Sequence, residues 1–384
     1  MMKICLLGAS GSIGSQSLDV MNKSRDDFSL VAFSLGNQTR KISSIVNKFP
    51  SVKAICVRKK SKANYYQSKF PNIRFFYGDN GLNELIIFSK PDMVVNALVG
   101  FVGLKPSLTA LENNIDLALA NKESLVAGGE LINNILKSSK ASIYPIDSEH
   151  SALWKCLKVD DNNIDKLLIT ASGGAFRDLK VEELNNVSKE MALNHPNWKM
   201  GNKITIDCAT MVNKSFEIIE AYYLFNVPIN KIDVIMHRES MVHSLVKYKD
   251  GSYRGEKNKP DMRNPIKFAL YKGNIPFDTV KVNDLSEFKD LHFSSFDINR
   301  YPLVSYSYQA IKKQGGYGAC YNAANEVAVN AFLNDQISFL DIDKVINYCT
   351  NSFRRKSVID YEILAKIDKN TRKKATKYIK GGCL

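Results

Sequence analysis

Short apolar runs recur through the first third of the chain: "KICLLG", "LVAFSLG", "KAICV", "IRFFYG", "MVVNAL", "IDLALA" and "ASIYPI". Amphipathic stretches separate them. Strands buried on both faces read as continuous apolar runs, and parallel strands need crossover connections, so this alternation predicts a doubly wound parallel sheet covered by helices. From about Thr170 the texture changes to Gly-rich loops and mixed elements, with strand-like "KITIDC" and "HSLVKY" and a helix from about Ala209. A weakly patterned stretch from Asn274 to Tyr301 reads as a linker, and the remainder, from "PLVSYSYQAIKKQ" onward, has helical periodicity. The expected fold is α/β: an N-terminal Rossmann-like dinucleotide-binding domain (1–145), an α+β catalytic domain (146–273), a linker (274–300) and a C-terminal helical domain (301–384).

Composition narrows this little. The chain has 384 residues, 45% hydrophobic and 24% charged, with room for several domains. Its formal charge of +14 suits phosphorylated small molecules, nucleic acid or anionic surfaces. The basic residues are scattered, and the clusters "RKKSK" and "TRKKATKYIK" lack the aromatic interleaving of a nucleic-acid platform, so neither nucleic acid nor membrane is an expected partner. Seven cysteines without a C-x-x-C pair argue against a disulfide framework and a zinc site. The opening "MMKICLLGASGSIG" runs straight into a strand, and no apolar run approaches membrane-spanning length, so a reducing cytoplasm is the expected location.

Candidate chemistry starts at "LLGASGSIG". Gly8, Gly11 and Gly14 lie between a strand and a helix beginning near Ser12, where tight turns and a helix N-terminus suit a pyrophosphate. The second strand ends in Gly36, Asn37 and Arg40 and lacks the carboxylate that binds a free ribose 2′-hydroxyl, which favours NADP over NAD. Asn121, Lys122 and Glu123 follow another strand, at the edge where ligands bind in open α/β sheets.

A second cluster follows. "YPIDSEHSALW" places Asp147 and Glu149 two residues apart, on one side of an extended chain, unless they merely cap the next helix. In "DCATMVNKSFEIIEA", Asn213 and Lys214 stand i, i+4 and i, i+3 from Glu217, sharing a helix face. Asp147, Glu149 and Glu217 form a candidate all-oxygen site, which selects Mg²⁺ or Mn²⁺ over Zn²⁺. "ASGGAF" supplies Ser172 in a donor-rich loop, and "NHPNWKMGNK" supplies His195, Trp198, Met200 and Gly201 in a loop of lid character.

Together "GASGSIG", "ANKESLVAGG", "PIDSEHSA", "ASGGAF", "HPNWKMG", "DCATMVNKSFEIIEA", "SMVHSLVKYKDGS", "PDMRNPI" and "NAANEVAVNAFL" resemble, in order, the motifs of the 1-deoxy-D-xylulose 5-phosphate reductoisomerase family, from Leu7 to about Leu340. The resemblance implies an NADPH- and Mg²⁺- or Mn²⁺-dependent rearrangement and reduction of a small phosphorylated sugar, by a homodimer. It implies metal ligation by Asp147, Glu149 and Glu217, and catalytic roles for Lys122, Glu149 and His195. Substrate contacts would come from Lys122, Ser148, Glu149, Ser172, His195, Trp198, Cys208, Asn213, Lys214 and Glu217. Cofactor contacts would come from Gly8, Ser10, Gly11, Ser12, Ile13, Gly36, Asn37, Asn121, Glu123 and Gly201. The chain departs from the family pattern at Cys208 and Ser215, where Ser and Gly are usual, at Ala175 for Pro, at "HRES" for Pro-Gln-Ser, and at "GEKNKPDMR", which lacks "AQLG". Two alternatives stay open on residues alone: another NADP-dependent dehydrogenase needing no metal, or a nucleotide-sensing or nucleic-acid-binding module exploiting the basic charge.

Overall fold

The computed structural model describes residues 1–160, 162–198, 200–276 and 291–381. Chain compactness divides it into two units, the first built from Met1–Ser124, Ile132–Asp147 and a segment beginning at Met262. The second contains Leu125–Leu131, Ser148–Asp261 and the C-terminal helices.

All seven apolar runs of the first third are strands: β1 (Met2–Leu7), β2 (Phe28–Leu35), β3 (Ala54–Val57), β4 (Arg74–Tyr77), β5 (Met93–Asn96), β6 (Asp116–Leu119) and β7 (Ile143–Pro145). They form one sheet in the order β4-β3-β2-β1-β5-β6-β7. Every neighbouring pair is parallel. The order reverses between β1 and β5, the switch point at which open sheets hold ligands beyond their strand ends. Ile4, Leu6, Leu30, Phe33, Ile55 and Val95 fill the core on this sheet.

The second unit carries a five-stranded mixed sheet made of β8 (Ile164–Ala171), β9 (Ile232–Met236), β10 (Val242–Tyr248), β11 (Tyr253–Lys257) and β12 (Ser294–Ser295), in the order β11-β10-β8-β9-β12. β8 runs parallel to β9 and antiparallel to β10. The helices used below are α1 (Ser12–Lys23), α2 (Lys122–Leu136), α3 (Ser148–Val159), α4 (Asn202–Ala209), α5 (Val212–Phe225) and α6 (Tyr317–Leu333). The described residues from Pro302 onward form helices and their connections, as their periodicity predicts. Most of the expected linker, residues 277–290, lies outside the described residues. No helix among the described residues is long and apolar enough to cross a membrane.

Three local expectations are corrected. "KITIDC" belongs to helix α4 and is not a strand. Its β-branched Ile204, Thr205 and Ile206 favour extended backbone, yet local helical contacts win: Thr205 Oγ1 donates to Gly201 O at 2.9 Å, and Lys203 pairs with Asp207 at i, i+4. The helix expected from about Ala209 begins at Val212, because Met211 takes a left-handed conformation (φ 63°) that separates α4 from α5. Glu149 sits in the first turn of α3, so the alternation of an extended strand does not set its direction relative to Asp147.

Candidate active site

At the nucleotide end, Gly8 has φ +83°, and a Cβ there would lie 2.5 Å from Ala97 O. A Cβ on Gly14 would lie 2.2 Å from Gly8 O, so both glycines are demanded by the chain itself. Gly11 differs: its Cβ would meet only Gly8 O at 3.5 Å, an ordinary contact. It is exposed and is the N-cap of α1, with no side chain capping the free N–H groups of Ser12, Ile13 and Gly14. An uncapped helix start beside an unfilled glycine is a cradle for a phosphate anion. Ser10 is tied in through its carbonyl, which accepts from Lys41 Nζ at 3.3 Å. Gly36, Asn37 and Arg40 are exposed just past β2.

Asn121 is fully buried and holds the loop after β5. Its Nδ2 donates to Leu98 O and Gly100 O at 3.0 Å and to Glu123 Oε2 at 2.9 Å, while Oδ1 caps α2 by accepting from Ser124 N at 3.1 Å. The side chain is thus spent on the fold. The next residue, Lys122, pairs with Asp147 at 3.3 Å; their side chains are only 12% and 15% exposed.

The second unit assembles a buried ionic cluster. Lys214 Nζ bridges Glu149 Oε1 at 3.0 Å and Glu217 Oε2 at 2.7 Å. Asn213 Nδ2 donates to Glu217 Oε1 at 2.5 Å, and Ser148 Oγ donates to Glu149 Oε2 at 2.5 Å. The helix-face spacing of Asn213, Lys214 and Glu217 therefore does what the sequence predicts, but all three are buried, at 6%, 7% and 1% exposure. Buried carboxylates at this density require positive charge nearby, and carboxylates themselves offer only oxygen ligands. His150, which had no role in the sequence reading, places Nε2 3.0 Å from Glu217 O.

A third group gathers Ser172, His195 and Trp198. His195 Nδ1 accepts from the backbone N–H groups of Asn197 at 3.2 Å and Trp198 at 3.0 Å. The neutral ring therefore carries its proton on Nε2, which lies 3.4 Å from Ser172 Oγ. Burial, followed by the nearby Lys214 and Arg177 charges, pushes the His195 pKa down from 6.5 to about 4. His195 is a neutral donor at physiological pH. Arg177, also unremarked in the sequence, donates to Ser172 O at 3.1 Å and Arg238 O at 2.9 Å, and Asn197 Nδ2 reaches Arg238 O at 2.7 Å. These long-range ties had no periodic signal. Trp198 is half-buried, its ring 6.1 Å from that of His243. Cys208 is half-buried near the end of α4, and Gly201 is that helix's exposed N-cap.

Comparison with known proteins points one way. Three family models match the chain: 1-deoxy-D-xylulose 5-phosphate reductoisomerase over residues 4–129, its C-terminal domain over 143–225, and a DXP reductoisomerase C-terminal domain over 258–374. The chain is 42% identical over 375 residues to the 1-deoxy-D-xylulose 5-phosphate reductoisomerase of Bacillus cereus (strain ATCC 10987 / NRS 248), covering 97% of this chain and 98% of that one. It is 42% identical over 371 residues to that of Macrococcus caseolyticus, covering 96% and 97%. A crystal structure of DOX-P reductoisomerase with NADPH, fosmidomycin and magnesium superposes with a TM-score of 0.91 at 34% identity, covering 99% of this chain and 98% of that one. The Zymomonas mobilis enzyme in complex with NADPH gives 0.90 at 31% identity, covering 98% and 99%.

Proposed function

The chain belongs to the 1-deoxy-D-xylulose 5-phosphate reductoisomerase family, and from that membership we propose how its own residues divide the work. The reaction is the NADPH- and divalent-metal-dependent rearrangement and reduction of 1-deoxy-D-xylulose 5-phosphate to 2-C-methyl-D-erythritol 4-phosphate. When bound, the metal ion acts as a Lewis acid on the substrate's oxygens and NADPH supplies the hydride.

Asp147, Glu149 and Glu217 would hold the ion. The observation that carries this is the Lys214 bridge: Glu149 and Glu217 already share a cation at hydrogen-bond distance. Asp147 is two peptide bonds from Glu149, so their Cα atoms lie no more than about 7.6 Å apart. Lys214 would pair with the substrate phosphate, beside Asn213, Ser172 and Cys208. Neutral His195 donates through Nε2 and adds no charge. Lys122 and Ser148 bear on the reacting oxygens, and Trp198 covers the substrate to exclude water.

Gly8, Ser10, Gly11, Ser12 and Ile13 cradle the NADPH pyrophosphate. Gly36 and Asn37 would receive the 2′-phosphate, Asn121 and Glu123 would turn toward the nicotinamide ribose, and Gly201 would be a further cofactor contact. The first unit would then serve the nucleotide and the second catalysis, with residues 301–384 in support, in a cytoplasmic homodimer. The test is a calorimetric Mn²⁺ titration of the wild type and Glu217→Gln. The wild type should bind one ion per chain and the variant should lose that binding, with NADPH affinity unchanged. Equal Mn²⁺ binding by both would remove Glu217 from the metal site.

A further inference from the structure

Helix α6 of the C-terminal region carries Asn325, which is fully buried. Its Nδ2 donates to Asp207 Oδ1 at 2.9 Å, and Lys203 Nζ holds the other oxygen, Oδ2, at 2.7 Å. The Lys203 ammonium also lies 5.6 Å over the Phe216 ring. Asp207 is 3% exposed and fixed from two sides. The Asn325 Oδ1 has no hydrogen-bond partner among the described residues. A buried amide oxygen left unpaired costs stability that a leucine of similar size would not cost. What asparagine adds at this place is a donor for Asp207.

Asp207 precedes Cys208 near the end of α4. On that end rests the loop after β8: Gly174 has φ +68°, and a Cβ there would lie 2.5 Å from Cys208 O and 2.8 Å from Ala209 Cα. Just beyond, the left-handed Met211, 2% exposed, turns the chain into α5 and its first residues Val212, Asn213 and Lys214. Ser172, Cys208, Asn213 and Lys214 therefore share one junction. Asp207 thus ties this junction to α6 through a charged side chain. The edge-to-face contact of Phe216 with Tyr321, ring centroids 5.3 Å apart, ties α5 to α6 a second time.

We propose that Asn325 is a positioning residue for the phosphate pocket, acting through Asp207 on the α4–α5 junction. This rests on the reading of Ser172, Cys208, Asn213 and Lys214 as that pocket. The experiment uses the full chain and measures kcat, both KM values, the inhibition constant of inorganic phosphate and the melting temperature. Asn325→Leu should raise the sugar-phosphate KM and the phosphate inhibition constant about tenfold, while kcat and the NADPH KM stay within about twofold. Asn325→Ser, which keeps a donor, should recover part of the loss. Lys203→Met removes Asp207's other partner from a partly exposed position, so it tests the same link even if Asn325→Leu fails to fold, and it should raise the same two constants. The proposal is overturned if Lys203→Met and the folded Asn325 variants keep both constants at wild-type values, or if kcat and both KM values deteriorate together with the melting temperature. A wild type that turns over no sugar phosphate overturns the pocket reading itself, and the inference with it.

Discussion

At the scale of single residues, the site is governed by which groups are charged. His195 is held neutral: burial and the Lys214 and Arg177 charges depress its pKa to about 4, below the ordinary 6.5. As pH falls from about 6.5 the unfolded chain takes up this proton first, so His195's contribution to stability is complete above 6.5 and is lost between there and about 4. A ¹⁵N NMR titration should find the Nε2–H tautomer at pH 7 and protonation near pH 4. A midpoint near 6.5 would contradict the burial argument. Cys208 gives a second residue-scale prediction. A thiol is a weaker donor than the serine usual at this place, and α4 leaves Cys208 half-buried, not sealed in the core. Cys208→Ser should lower the sugar-phosphate KM several-fold, about 1 kcal/mol, and an unchanged KM with a lowered melting temperature would make Cys208 a packing residue only.

At the scale of elements, the glycine loop separates fold from function. Gly14→Ala forces a Cβ to 2.2 Å from Gly8 O and should destabilise or unfold the first unit, whereas Gly11→Ala meets nothing closer than 3.5 Å. Gly11→Ala should keep its melting temperature yet weaken NADPH binding, measured by fluorescence titration, because on the proposed reading the added methyl would stand where the pyrophosphate approaches the first turn of α1. Normal NADPH affinity in Gly11→Ala would move the pyrophosphate elsewhere. The same contrast shows what was legible beforehand. Parallel strands are apolar on both faces, so each announced itself; likewise the i, i+3 and i, i+4 spacing around Glu217 needs only one helix to be true. Helix α4 reads as a strand because β-branched residues signal strand locally, while the contacts that settle it, Lys203 with Asp207 and Asp207 with Asn325, depend on helical geometry and on a residue more than a hundred positions away. Arg177 and Asn197 give no signal for a related reason: both reach the carbonyl of Arg238, far along the chain, and a backbone acceptor leaves no trace in a side-chain pattern.

For the whole molecule, the reaction is one on a phosphorylated sugar, and the proposed reading has the glycine loop and the ionic cluster both serve it. Homodimer formation follows from the proposed reading, and sedimentation equilibrium should return twice the 43.1 kDa chain mass; a monomer at micromolar concentration would contradict it. The absence of a carboxylate at the end of β2 makes NADPH the preferred nucleotide, and equal rates with NADH would contradict that preference. The central claim joins reductant, metal and sugar phosphate, and one assay tests all three: absorbance-monitored oxidation of NADPH by the purified protein with 1-deoxy-D-xylulose 5-phosphate. The account predicts turnover with Mg²⁺ or Mn²⁺, its loss on chelation and its return when metal is restored. Turnover that persists undiminished in excess chelator, or no oxidation with the sugar phosphate at saturating metal, would contradict it.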